Sequence, residues 1–92
     1  MSKSRDVVVI DVREPFEFAA GHVEGALNLP PMRLMMGAPE LKDIPKDTKL
    51  IVYCRTGSRS ATSIQLLQQM GYKNVINGIN AEQVKKRWLT TD

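Results

Sequence analysis

Leu50-Ile51-Val52-Tyr53-Cys54-Arg55-Thr56-Gly57-Ser58-Arg59-Ser60 is the stretch on which the fold turns. Leu50 to Tyr53 make an apolar run of strand length, and Cys54 stands at its carboxyl end. The residues that follow are small, polar or basic and break the run. From Ser60 to Met70 the pattern changes again. Ala61, Ile64 and Leu67 recur at intervals of three, with Gln65, Gln68 and Gln69 on the other side, which predicts a helix that buries the first set. Gly71 is placed to end that helix in a left-handed conformation. Strand, short loop and helix follow one another within this part of the chain.

Upstream, Val7-Val8-Val9-Ile10 is a continuous β-branched run, the pattern of a strand buried on both faces in a parallel sheet under helices. Asp11 lies at its carboxyl end. Glu14-Pro15 opens a short helix, because proline's missing N–H costs nothing in the first turn. Phe16, Phe18 and Ala19 give that helix apolar mass, and Gly21 ends it. Ala26-Leu27-Asn28-Leu29 predicts a short strand stopped by Pro30-Pro31. Met32 to Asp47 reads as irregular or weakly helical, punctuated by Pro39 and Pro45. Met32, Met35 and Met36 are expected first to fill gaps in the core, with an exposed docking rim as the alternative.

Downstream, Asn74-Val75-Ile76 predicts another strand. Asn80 then caps a last helix, with Gln83 three residues on in a capping-box-like arrangement. Ala81, Val84 and Trp88 share its inner face. Strands alternating with helices predict an α/β sandwich around a mainly parallel sheet. The 92 residues suffice for one small domain, 1–92, and not for two.

The loop after the central strand carries the chemistry. Ligands of open α/β sheets bind at the carboxyl ends of strands. Arg55, Thr56, Gly57, Ser58, Arg59 and Ser60 make a segment able to curl its backbone N–H groups inward as an anion nest. The following helix start adds unpaired donors and a partial positive charge. Cys54 at the edge of this field is expected to ionise below the pH of a free thiol. A thiolate attacks sulfur, and the resulting persulfide is itself an anion that the same donors would hold. Arg59 is expected to bind anions or to tie the loop down, whereas Arg55 divides evenly between the site and solvent.

The composition excludes several classes. The net charge of +3 is too small for a nucleic-acid footprint. The single cysteine rules out an internal disulfide or a thiolate zinc cluster and suits a reducing, cytoplasmic setting. The opening Met-Ser-Lys-Ser-Arg-Asp has no apolar signal core, and no run is long enough to span a membrane.

With these residues in view, the chain resembles the rhodanese-like family. Asp11-Val12-Arg13-Glu14-Pro15-Phe16-Glu17-Phe18 looks like the family's first signature. Gly21-His22-Val23-Glu24-Gly25-Ala26 looks like its continuation, and Tyr53-Cys54 with the Arg-Thr-Gly-Ser-Arg-Ser run resembles its active-site loop. Gly71-Tyr72, Val75 and Asn77-Gly78-Ile79 resemble its closing segments. The resemblance implies a three-layer sandwich with helices on both faces of the sheet. It also implies transfer of sulfane sulfur from a small donor such as thiosulfate to cyanide, a thiol or a protein acceptor, through a Cys54 persulfide. It implies no metal and no organic cofactor.

Two departures stand out. Many members carry an extra strand and helix before the first signature, so a minimal member or an excised domain is expected. The usual Gly-Gly near the end is Asn77-Gly78 here, and Asn77 is expected to take the positive φ itself.

Asp11, Arg13 and His22 are read as structural. Asp11 is expected to bond loop N–H groups and Arg13 to pair with a carboxylate, bracing the site from behind. His22 is expected to cap or pack. A phosphatase or arsenate reductase is the first rival. Phosphatases of this architecture resemble Cys-x5-Arg, whereas Cys54 and Arg59 enclose four residues and Ser60 stands where that arginine would fall. The other rival is a docking or regulatory module that has lost its chemistry.

Overall fold

The computed structural model describes residues 7–88. The opening Met-Ser-Lys-Ser-Arg-Asp lies outside them. The elements are β1 (Val7–Asp11), α1 (Pro15–Ala20), β2 (Leu27–Asn28), α2 (Pro31–Met35), a 3-10 turn (Pro39–Leu41), β3 (Lys49–Tyr53), α3 (Ser58–Gln69), β4 (Val75–Ile79) and α4 (Ala81–Trp88).

Among the described residues the sheet has four strands in the order β2-β1-β3-β4, and every pairing is parallel. Successive residues of a strand face opposite sides, and here the two sides fill two separate cores. Ile10, Leu50 and Val52 pack with Leu34 of α2 and Leu67 of α3. Val9, Ile51 and Tyr53 pack with Val84 of α4, and Phe18 of α1 adds to that side. Helices therefore cover both faces. β1 sends its chain outward to β2, and β3 sends its chain the other way to β4. The helices that follow them, α1 and α3, lie on opposite faces. The sheet's switch point thus falls between β1 and β3, where the carboxyl ends leave a crevice. The register pairs Asp11 with Tyr53, so the residue after β3, Cys54, is set beside the end of β1.

Helix α3 ends in a Schellman arrangement. Gly71 takes φ 104°, Tyr72 N–H reaches Leu67 O at 3.1 Å, and Gly71 N–H reaches Gln68 O at 3.0 Å. Asn80 caps α4 through Gln83 N–H at 2.8 Å. Several expectations need correction. The buried face of α3 is Ser60, Ser63 and Leu67, and Ala61 is exposed. The two serines bury because their hydroxyls find partners, Asn77 Oδ1 for Ser60 and Arg59 O for Ser63. Met32, Met35 and Met36 are not core. They are 68–71% exposed, because a helix of five residues turns only Leu34 inward. Phe16 is likewise exposed, and no residue of α1 is fully buried.

The end of β4 also differs from expectation. Asn77 is not the residue with positive φ; Ile79 is, at 74°. A bulge sits there, since Val52 pairs with Asn77 but Tyr53 pairs with Ile79. Gly78, skipped by the register, is wedged so tightly that a Cβ would meet Val84 Cγ2 at 2.6 Å and Ile51 Cγ2 at 2.9 Å.

Candidate active site

Cys54 is fixed from the sheet side by its own N–H, which donates to Ile79 O at 3.1 Å. The chain then reverses, and Gly57 makes this possible by taking φ 96° as the N-cap of α3. The reversal turns N–H groups back onto the sulfur. Gly57 N–H donates to Cys54 Sγ at 3.0 Å, and the N–H groups of Thr56 and Ser60 also act on it. The Ser60 hydroxyl lies 3.7 Å from the sulfur. Burial pushes the Cys54 thiol up, but these donors outweigh it and hold the pKa below that of a free thiol.

The rest of the loop does less to the sulfur. Ser58 sits within 3.5 Å of Thr56 Oγ1, and the Arg55 side chain is 71% exposed. Arg59 turns to Glu17 of α1, with 2.9 Å between Nη1 and Oε1, and Arg55 leans to the same carboxylate at 3.8 Å. The hydrogen bond from Arg59 holds the Glu17 carboxyl down to about 2, so this contact is a full ion pair at every working pH. Glu17 was not anticipated from the sequence, although it stands in the capping box of α1, where its own side chain accepts Glu14 N–H at 2.9 Å. Arg59 also borders an open groove of about 600 Å³ whose walls include Pro15, Pro30, Pro31, Met32 and Met36.

Asp11 and Arg13 form a separate knot. Arg13 forks onto both oxygens of Asp11, with 2.7 Å between Nη2 and Oδ2, and also donates to Gly21 O at 2.7 Å. Tyr53 O–H donates to Asp11 Oδ2 at 2.8 Å and accepts Val23 N–H at 3.0 Å. Desolvation pushes the Tyr53 hydroxyl up to about 12, so it stays a neutral donor. Asp11 therefore bonds the N–H of Arg13, in the loop after β1, rather than the N–H groups after Cys54. Its geometry explains this, because the Arg13 fork and Tyr53 already occupy both oxygens. His22 caps α1 through Phe18 O at 2.8 Å and stacks on the Phe18 ring at 3.6 Å.

Asn77, on the bulged strand, is the residue that the sequence did not mark as functional. Its Oδ1 accepts Ser60 O–H at 2.7 Å and Ile79 N–H at 2.9 Å, and its Nδ2 donates to Gly57 O at 3.3 Å. The departure from Gly-Gly was the available signal.

The family model described as Rhodanese-like domain matches residues 1–80. A protein named sulfurtransferase from Allochromatium vinosum is 39% identical over 84% of this chain and 69% of its own length. The thiosulfate sulfurtransferase PspE of Escherichia coli is 36% identical over 74% of this chain and 64% of its own. A solved E. coli rhodanese structure containing anions superposes with a TM-score of 0.73 at 30% identity, covering 84% of this chain and 89% of that one. Of several other curated relatives, this chain covers less than two thirds of the length.

Proposed function

The chain belongs to the rhodanese-like domain family, with named sulfurtransferases among its relatives, and from that premise we propose that it moves sulfane sulfur through a persulfide on Cys54. The observation that carries the proposal is the turn at the start of α3 that brings the Gly57 N–H onto Cys54 Sγ at 3.0 Å and the Ser60 hydroxyl within 3.7 Å of it. Such a cradle favours an anionic sulfur over a neutral one at low cost, because its donors are already in place. In the first step the Cys54 thiolate attacks the outer sulfur of thiosulfate. The S–S bond of the donor breaks, and sulfite leaves with the bonding pair. Cys54 then carries one extra sulfur and the negative charge. In the second step a cyanide or thiolate acceptor attacks that outer sulfur, and Cys54 leaves as a thiolate.

Cys54 is the only cysteine in the sequence, so the acceptor has to come from outside the chain, as a small thiol, cyanide or a protein thiol. Only 2% of Cys54 is exposed. A donor that presents a single terminal sulfur reaches it more readily than a tetrahedral phosphoryl centre, which favours sulfur transfer over phosphatase chemistry. A lone thiol kept ready for attack suits the reducing cytoplasm. We take 1–92 as one domain in this reading.

Mass spectrometry of the intact protein after incubation with thiosulfate, then with cyanide, tests it. The expected result is a gain of one sulfur on Cys54 that cyanide removes. Cys54→Ser is expected to abolish both steps while leaving the circular dichroism spectrum and melting curve close to wild type. If thiosulfate and polysulfide both leave Cys54 unmodified, the proposal falls and a docking role replaces it.

A further inference from the structure

The Ser60 hydroxyl has one proton, two carbonyl-type acceptors in reach and, while Cys54 is a thiol, the S–H of Cys54 pointing at its oxygen. Asn77 Oδ1 lies at 2.7 Å, Gly57 O at 3.0 Å and Cys54 Sγ at 3.7 Å. The orientation of the Asn77 amide is set by its other bonds. Ile79 N–H requires the oxygen on one side, and Gly57 O takes the nitrogen on the other. Ile79 is a β-branched residue held at φ 74°, and its carbonyl receives the Cys54 N–H. Asn77 thus holds a strained backbone turn in place on one side and the cradle of Cys54 on the other.

We propose that Asn77 is a positioning residue that sets the protonation of Cys54 by competing for the Ser60 proton. While Cys54 is a thiol, Ser60 donates to Asn77, its nearest acceptor. When Cys54 ionises, the charged sulfur becomes the stronger acceptor, and the hydroxyl rotates to it. Asn77 Oδ1 then keeps only the Ile79 N–H. Ionisation therefore costs a neutral hydrogen bond, and Asn77 holds the thiolate back relative to a chain without it. The inference rests on Cys54 acting as a thiolate nucleophile.

The charged groups near this branch lie on other elements. Arg59 of α3 feels the Cys54 charge, Arg55 leads out of β3, and both face Glu17 of α1. Asp11 of β1 is neutralised by Arg13. β4 itself, Val-Ile-Asn-Gly-Ile, carries no ionisable side chain. Changing Asn77 therefore alters the competition for the proton without removing a charge.

The test is the pH dependence of iodoacetamide alkylation of Cys54. Asn77→Ala is expected to lower the midpoint by up to roughly half a pH unit, since Gly57 O stays behind as the more distant acceptor of the Ser60 proton. Asn77→Asp, which offers a charged acceptor, is expected to raise it. In a Ser60→Ala background, Asn77→Ala is expected to leave the midpoint where Ser60→Ala alone puts it. A residue that merely holds the loop would move the midpoint equally with and without the Ser60 hydroxyl.

An unchanged or raised midpoint in Asn77→Ala overturns the proposal, as does a shift that survives in the Ser60→Ala background. Should Asn77→Ala fail to fold, Asn77→Asp decides through the Ser60→Ala background, where a rise as large as with Ser60 present, the mark of its charge alone, overturns the proposal. The sulfur-carrier proposal is read separately by mass. Persulfide formation with flat midpoints sinks only the role of Asn77, and shifted midpoints without persulfide sink only the sulfur transfer.

Discussion

Two polar clusters sit side by side at the carboxyl ends of β1 and β3, and they are built on opposite plans. In the Asp11–Arg13–Tyr53 knot the Nε and Nη2 groups of Arg13 and the Tyr53 hydroxyl all find acceptors inside the protein. The carboxylate is fully buried, yet it receives the Arg13 N–H, the guanidinium fork and the tyrosine hydroxyl. In the Cys54 loop, donors converge from several directions on one sulfur and stabilise a charge that forms only when the thiol ionises. The first cluster spends its buried carboxylate on partners within the protein. The second holds donors that a reacting anion can use. A brace and a site thus differ in whether their hydrogen-bonding capacity is already spent.

The largest expected effect breaks the brace. Asp11→Ala strips the partner from a mostly buried Arg13 and leaves Tyr53 O–H without its acceptor. Removing one member of such a pair costs about 3–5 kcal/mol. Urea denaturation should show this as a lower midpoint at unchanged slope. The alkylation midpoint of the folded fraction should stay at the wild-type value, because none of the donors to Cys54 comes from the knot. A loss of stability below about 1 kcal/mol would show that the knot is not the brace described. A moved alkylation midpoint would show that the two clusters are coupled.

Asp11, Arg13 and Cys54 were legible in the sequence, the first two as a brace and the third as the nucleophile. Strands and helices could be placed because Val7–Ile10 and Leu50–Tyr53 are unbroken apolar runs and because Gly21, Gly71 and Asn80 mark ends. Cys54 stood out by its place between such a run and a Gly/Ser/Arg loop. What failed was inference about faces and partners. Ser60 and Ser63 concealed the buried face of α3, since a serine buries only when an acceptor waits for it; those of Ser60 come from the loop backbone and β4, and that of Ser63 from the carbonyl one turn back in α3. Glu17 lies 42 residues from Arg59, and no local pattern joins them. The bulge that skips Gly78 aims Asn77 at the loop, and a bulge is set by contacts between α4 and β3 rather than by strand propensity. For Met32, Met35 and Met36 the sequence favours gap-filling core over an exposed rim, and the structure turns all three outward, because a methionine cluster reads the same whichever face its short helix buries.

A smaller effect sharpens the contrast from the side of the site. Arg59 is partly spent, because Glu17 holds it at 2.9 Å, yet it also borders the groove beside the loop. Arg59→Ala is expected to reduce the rate with thiosulfate by roughly two- to fivefold, the scale of a partly exposed charge contact. Its effect on a neutral organic trisulfide should be smaller. Equal losses with both donors would mean that Arg59 only ties α3 to α1.

The smallest effect comes from the residue that spends the arginines. Arg55 and Arg59 carry two positive charges and Glu17 one negative, so this trio has a net charge of one positive. Glu17→Gln keeps a hydrogen-bonding side chain and raises that net charge to two. The KM for thiosulfate should then fall by up to roughly threefold, with kcat little changed, because an exposed charge steers an anion without touching the reacting bond. The gain should shrink as salt rises, since the Debye length drops from about 30 Å at 0.01 M to about 8 Å at 0.15 M. Mild acid cannot imitate the substitution. The folded-state pKa of Glu17 is depressed to about 2, below its ordinary 4.5. Its pairing therefore stabilises the fold fully above that ordinary value and is lost only as the pH falls through about 2. A wild-type profile of KM against pH that is flat from pH 5 upward on the carboxylate side, together with a lower KM in Glu17→Gln, would place Glu17 as a restraint on the site. A rise in KM instead would make it part of the brace, needed to hold Arg59 and the start of α3 in place.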